Sequence, residues 1–263
     1  MRTRLALALA MLLAPMDVDA QATGDQTRLV FSVSGGYATG HDLWTVGGQS
    51  LTLDGLTDIF ALERNLTSTW TAGLGVVYFG GEHVGFTGDA HLVDTRTEDS
   101  CQQLSNSGSE KNTQVCQSIE GSARSAMAVA LSAGVILRAA SRAKVSPYLR
   151  LQGGAYFGNL NTTSMQGTFV NADSELVYVN IYPSSSSTHF SPQVTVGAGI
   201  TVPVAKAYHL RFEGRAMTHN LEVITGATGS AGTDPNTGTR WLTTFSLHAG
   251  IDLVLERKRG RRY

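Results

Sequence analysis

One stretch near the carboxyl end constrains the fold more than any other: residues 240–256 alternate apolar and polar side chains with hardly a break. Trp241, Thr243, Phe245, Leu247, Ala249, Ile251, Leu253 and Leu255 fall on one face, and Thr244, Ser246, His248, Gly250 and Asp252 on the other. Successive side chains of a strand point to opposite faces, so this segment has one greasy and one largely polar side. Similar segments at 28–37, 68–79, 83–93, 122–138, 147–158, 189–204 and 208–219 bring the number of strands to eight. Short connections, around Gly80-Gly81-Glu82, Ala139 to Ser146 and Ala205 to Ala207, alternate with long polar ones at 38–67, 94–121, 159–188 and 220–239. Short turns on one side and long loops on the other are the pattern of an all-β, transmembrane, antiparallel up-and-down β-barrel.

The segment Asp58 to Arg64 also alternates, and with Leu43 to Leu53 it would raise the strand number to ten. Even numbers are the rule for single-chain bacterial barrels. Eight strands are favoured, with 58–64 as structure inside the first long loop. Composition agrees with a lipid-facing surface: of the 263 residues only 16% are charged, against about a quarter in soluble domains. The 29 glycines, many inside strand-like segments, are hard to place in helices. A formal net charge of −1 leaves no basic field for nucleic acid, so no nucleic-acid partner is expected.

The amino terminus carries Arg2 and Arg4, an apolar run from Leu5 to Ala14, Pro15, and then Val18-Asp19-Ala20. This is the order of a secretory signal peptide, residues 1–20, with cleavage after Ala20 and the barrel domain spanning 21–263. The run is too short to cross a bilayer as a helix. An exported chain meets an oxidising compartment, so the sole cysteines, Cys101 and Cys116, are expected to form a disulfide. Closing a loop of about fifteen residues contributes roughly 3 kcal/mol in the chain-entropy model. A metal pair is the alternative, but structural sites of that type use three or four ligands, and no cofactor is expected.

Phasing each strand with its apolar set toward lipid puts Val84, Phe86, Leu92, Met127, Leu131, Leu149, Val194, Ile200 and Phe212 outside. Aromatics near strand ends, Trp70, Tyr78, Phe79, Phe157, Phe190, Tyr208 and Trp241, suit interfacial girdles. The inward set holds Asp89, His91, Arg150, Gln152, Arg211, Glu213, Arg215, His248 and Asp252. An eight-stranded barrel is just wide enough for side chains to fill it, and buried charges need partners. Asp89, Glu213 and Asp252 are therefore expected to pair with Arg150, Arg211 and Arg215 in a lumen charge network.

With these residues in view, the chain from about 28 to 256 resembles the small outer-membrane β-barrel proteins of the OmpA, OmpX and opacity-protein type. The final strand is similar to that family's assembly signal at His248, Gly250, Leu253 and Leu255, followed here by a basic tail, Glu256 to Tyr263. The resemblance implies an outer-membrane location, outer-membrane lipid as surroundings and insertion by the barrel-assembly machinery. It specifies no activity. His189-Phe190-Ser191 looks like the His-x-Ser of one lipid A deacylase family, with Glu222 as a conceivable orienting acid, although Pro192 stands where that family carries asparagine. The expectation is a non-enzymatic protein, structural or binding an extracellular ligand through loops 94–121 and 159–188. A small-solute porin or channel, a lipid-modifying enzyme or protease, and a soluble exported β-sandwich are the alternatives.

Overall fold

The computed structural model describes residues 27–140, 143–158, 162–183, 189–205 and 207–257. The leader at 1–20 and most of the basic tail lie outside them. The alternating segments close into a ring of eight antiparallel strands: β1 (Thr27–Ala38), β4 (Thr69–Phe79), β5 (Val84–Gln103), β6 (Ser122–Arg138), β7 (Ser146–Gly158), β10 (His189–Pro203), β11 (Tyr208–Gly226) and β12 (Asn236–Arg257). Each pairs with the next in this order, and β12 returns to β1 over Thr27↔Arg257 to Ala38↔Ser246. Closure leaves the ring without a free edge, the condition for a sheet to stand in hydrocarbon.

The outward side chains form an apolar belt. Trp70 is 73% exposed, Phe86 68% and Leu247 75%, values that would be costly in water and are expected against lipid. On β4, Trp70 and Tyr78 bracket the belt, roughly 27 Å apart along the strand at about 3.4 Å per residue. A strand tilt of about 40° reduces that to a height of about 20 Å, near the roughly 25 Å band of membrane barrels. Aromatic pairs mark the rim at the long-loop end: Tyr37 meets Trp70 edge-on at 5.3 Å, and Phe157 meets Phe190 at 5.4 Å. Phe79 departs from the girdle expected of it. Because its neighbour Tyr78 faces lipid, alternation turns Phe79 inward, where it is buried with the Arg138 guanidinium 4.2 Å from its ring centre.

The long connections are folded. β2 (His41–Leu53) and β3 (Leu56–Leu66) form a hairpin inside the first, joined by Asp54 and Gly55, both at positive φ, the geometry of a two-residue type I′ turn. β3 then pairs with the upper part of β5 over Phe60↔Gln103 to Leu66↔Thr97. The second connection holds α1 (Glu110–Ile119), capped by Ser109, whose hydroxyl accepts from the Asn112 amide. The third holds the hairpin β8 (Met165–Val170) and β9 (Leu176–Tyr182). Three strands outrun the segments expected from sequence: β5 continues past 93, β11 past 219, and β12 begins before 240. Beyond the belt the outward residues of β5 turn polar at Asp94, Arg96 and Glu98, so the strand stops reading as a membrane strand while its backbone ladder runs on.

Candidate functional site

The lumen is filled in layers. Nearest the short turns, Val30, Val77, Phe79, Ile136, Tyr148 and Val254 pack into an apolar plate. Directly above it the structure brings Asp89, Arg150, Arg211, Glu213, Arg215 and Asp252 into one connected layer, every one of them buried. Arg150 is the hub: its Nη1 donates to Asp89 Oδ2 at 2.5 Å and its Nη2 lies 3.8 Å from Glu213 Oε2. Glu213 also receives Arg215 Nε at 2.6 Å and the Tyr148 hydroxyl at 2.7 Å. Gln152 Nε2 donates to Asp89, and Arg215 Nη1 to His91 Nε2. Arg211 is held more loosely, 3.6 Å from Asp252 and 3.9 Å from Glu213. With three carboxylates against three guanidiniums the layer is balanced, which lets it stay charged away from water.

Glycines make room for this layer. The His91 ring lies over Gly73 and the His248 ring over Gly36, so a methyl group at either glycine would overlap an imidazole. Above the rings a cavity of about 60 Å³ reaches Tyr156, Gln193 and His219. Its walls carry Tyr156 Oη, Gln193 Oε1 and His219 Nδ1, buried atoms without a hydrogen-bond partner among the described residues. At roughly 10–15 Å³ for each water centre, the space suits a few waters bridging these groups.

Over the cavity the folded loops build a second core beyond the belt. Leu43, Trp44, Val46 and Leu51 of β2, Phe60 and Leu62 of β3, Val115 and Ile119 of α1, Met165 and Phe169 of β8, and Ile181 and Tyr182 of β9 pack together and onto β11. Several polar groups inside this cap are paired. Arg64 makes a two-pronged bond with Asp99, Nε to Oδ1 at 2.5 Å and Nη2 to Oδ2 at 2.7 Å. Asp58 accepts from the Ser107 amide at 2.5 Å, the Ser107 hydroxyl at 2.8 Å and the Asn112 side chain at 2.8 Å. Burial raises the Asp58 pKa, but the hydrogen bonds from Asn112 and Ser107 outweigh it and hold the carboxyl below its ordinary value. The Tyr182 hydroxyl, pushed up to about 12 by burial, donates to Gln49 Oε1 at 2.9 Å. Cys101, on the upper part of β5, is joined to Cys116 on α1.

Apart from the Cys101–Cys116 bond, none of these cap pairings was expected from the sequence. The signal was present in β3, where Asp58, Phe60, Leu62 and Arg64 share one face: two large apolar neighbours mark that face as buried, so its charges need partners. Of the residues suggesting an esterase, Ser191 is buried with its hydroxyl engaged by one backbone unit, accepting from Asn220 N at 2.9 Å and donating to Asn220 O at 2.5 Å. The His189 side chain lies outside the described residues. Among those described, no cluster of His, Cys, Asp or Glu is arranged to hold a metal ion.

Closed ring, apolar belt and layered lumen together define a small membrane-spanning β-barrel of eight strands. The sequence matches no protein-family model and no curated protein. Among solved structures, the chain is similar to OprG from Pseudomonas aeruginosa (8% identity, 88% of this chain and 97% of that one, TM-score 0.47). It is also similar to Neisserial surface protein A (9%, 86% and 96%, 0.41). A third likeness is to Ail, the attachment invasion locus protein of Yersinia pestis (11%, 89% and 100%, 0.34).

Proposed function

We propose that the protein is a non-enzymatic outer-membrane barrel that presents its cap at the cell surface as a binding platform. In this reading residues 1–20 are a leader removed after Ala20. The barrel-assembly machinery inserts the strands, and the short turns and both ends of the mature chain face the periplasm. The observation that carries the reading is the cap core. A membrane anchor needs no second hydrophobic core outside the belt, whereas loops held in one shape on a rigid scaffold are suited to recognition. Apolar side chains of the cap remain exposed on the β8–β9 hairpin, at Val170, Leu176 and Tyr178. The engagement of Ser191 with Asn220 supports a structural rather than nucleophilic role for that hydroxyl.

Adhesion tests the platform. Cells displaying the protein should adhere to immobilised glycans or an epithelial layer more than cells lacking it. Changing Val170, Leu176 and Tyr178 together to serine should abolish the gain at unchanged surface level. Adhesion indifferent to both changes would refute this function. In parallel, turnover of lipid A or of a dibasic peptide by refolded protein, lost in Ser191→Ala, would overturn the non-enzymatic assignment.

A further inference from the structure

The barrel wall parts at one place at the height of the aromatic rim. β10 and β11 pair from Pro203↔His209 only as far as Gln193↔His219. Beyond that point β10 continues on β7 alone and β11 on β12 alone. Pro192 has no N–H to offer a neighbouring strand, and the Ser191 hydroxyl takes both backbone groups of Asn220 in place of a ladder. Between the parted strands lies a cleft of about 160 Å³, bordered by Phe190, Pro192, Asn220, Leu221, Glu222 and Thr239. Thr162 roofs it, fixed by the Trp44 indole to its carbonyl at 2.8 Å and by its own hydroxyl to the Glu222 carbonyl at 2.6 Å.

The cleft is apolar on the membrane side and offers acceptors on the other. Phe190 is 66% exposed in the rim beside Phe157, and Asn220 sits opposite Trp241. Asn220 Oδ1 is buried and has no hydrogen-bond partner among the described residues. Among the described residues, nothing bonds the Glu222 carboxylate. Unpaired acceptors beside an apolar wall call for a molecule with N–H or O–H donors at one end and hydrocarbon at the other. At this height such molecules are the lipids of the surrounding leaflet, present as the solvent itself.

We propose that the cleft seats the head group of a membrane lipid, its ammonium or hydroxyl donors on Asn220 and Glu222 and its chain along Phe190 and Pro192. This assignment rests on the barrel spanning a membrane and not on the cap's binding role. Heat-modifiable migration of the refolded protein on a gel checks the barrel separately.

Native mass spectrometry of the full chain released from micelles tests the site, with phosphatidylethanolamine, phosphatidylcholine and lipid A as probes. Phosphatidylcholine carries the same chains but no N–H. Wild type should retain one of the two donor-bearing lipids over phosphatidylcholine by about tenfold, the scale of one hydrogen bond to a charged group. Retention of phosphatidylethanolamine assigns the ammonium; retention of lipid A alone assigns sugar hydroxyls. Glu222→Gln, nearly isosteric and at a partly buried position, should bring the preference close to unity. Glu98→Gln, on an exposed stretch of β5, should leave it intact. Equal retention of all three lipids by wild type overturns the proposal whether or not the variants fold, and so does a preference that survives Glu222→Gln combined with Asn220→Ala.

Discussion

Arg150 and Arg211 both reach carboxylates across the lumen, yet their distances set them apart. Arg150 bonds Asp89 at 2.5 Å with both side chains almost wholly buried, whereas the contacts of Arg211 are 3.6 Å and 3.9 Å. Removing one member of a tight buried pair leaves an uncompensated charge and costs about 3–5 kcal/mol. Arg150→Ala should therefore lower the temperature at which the folded band is lost on a gel by much more than Arg211→Ala. Arg150→Met combined with Asp89→Leu should recover most of the loss, since an apolar replacement for an ion pair is often neutral. Equal shifts for the two arginines would show that the layer acts as a diffuse field and not through the Arg150–Asp89 bond. The inward position of these residues was legible from sequence because a strand's period of two fixes it. Which arginine holds which carboxylate was not, since strand-to-strand stagger decides which side chains meet across the ring. Phe79 shows the same rule misapplied: with Tyr78 also assigned to the girdle, one of two adjacent residues had to face inward.

At the level of elements, the membrane strands were readable, whereas of the cap only the alternating segments 43–53 and 58–64 and the Cys101–Cys116 bond were. Inside the belt both faces are constrained, apolar outward and polar or small inward, so alternation is strong. In the cap the outward face meets water and the inward face a mixed core, and β5 fades from view at Asp94 although its pairing with β6 runs to Asp99↔Ser122. A stronger cue stood at Asp54-Gly55 between alternating segments, a dipeptide that favours a type I′ hairpin. Two of the ties between cap elements bear on the segment 104–121. The Cys101–Cys116 bond joins β5 to α1 across a separation of 15 residues, worth roughly 3 kcal/mol to the connected segment. Changing both cysteines to serine should expose 104–121 to a brief protease pulse while the heat-resistant barrel band persists. Loss of the barrel band as well would mean that cap and barrel fold as one unit. The second tie is the Asp58 carboxylate on Ser107 and Asn112. Its depressed pKa stabilises the cap fully above the ordinary aspartate value of about 3.9 and loses that contribution as the pH falls through the folded value. Protease sensitivity of 104–121 should accordingly rise below about pH 4 in the wild type, and Asp58→Asn should flatten that dependence.

For the whole molecule, the question is whether water crosses it. A ring of eight strands encloses a space just wide enough for side chains, and here three successive levels occupy it. The Phe79–Tyr148–Val254 plate closes the short-turn end, the Arg150–Glu213 layer spans the middle, and the Trp44–Tyr182 core covers the far end. Between the second and third levels lies a space of about 60 Å³, and a smaller one of about 30 Å³ lies among the plate residues and Arg150, Arg211 and Asp252; the buried ion pairs between the two would have to be broken for an ion to pass. Purified protein in planar bilayers should thus give no steady single-channel steps. A chain lacking 41–66 and 165–182, which removes both cap hairpins, should stay silent as well, because the charge layer alone blocks the path. Stable steps from the wild type would overturn the filled lumen. Steps only after removal of the hairpins would move the block to the cap and leave the ion pairs with a purely structural role.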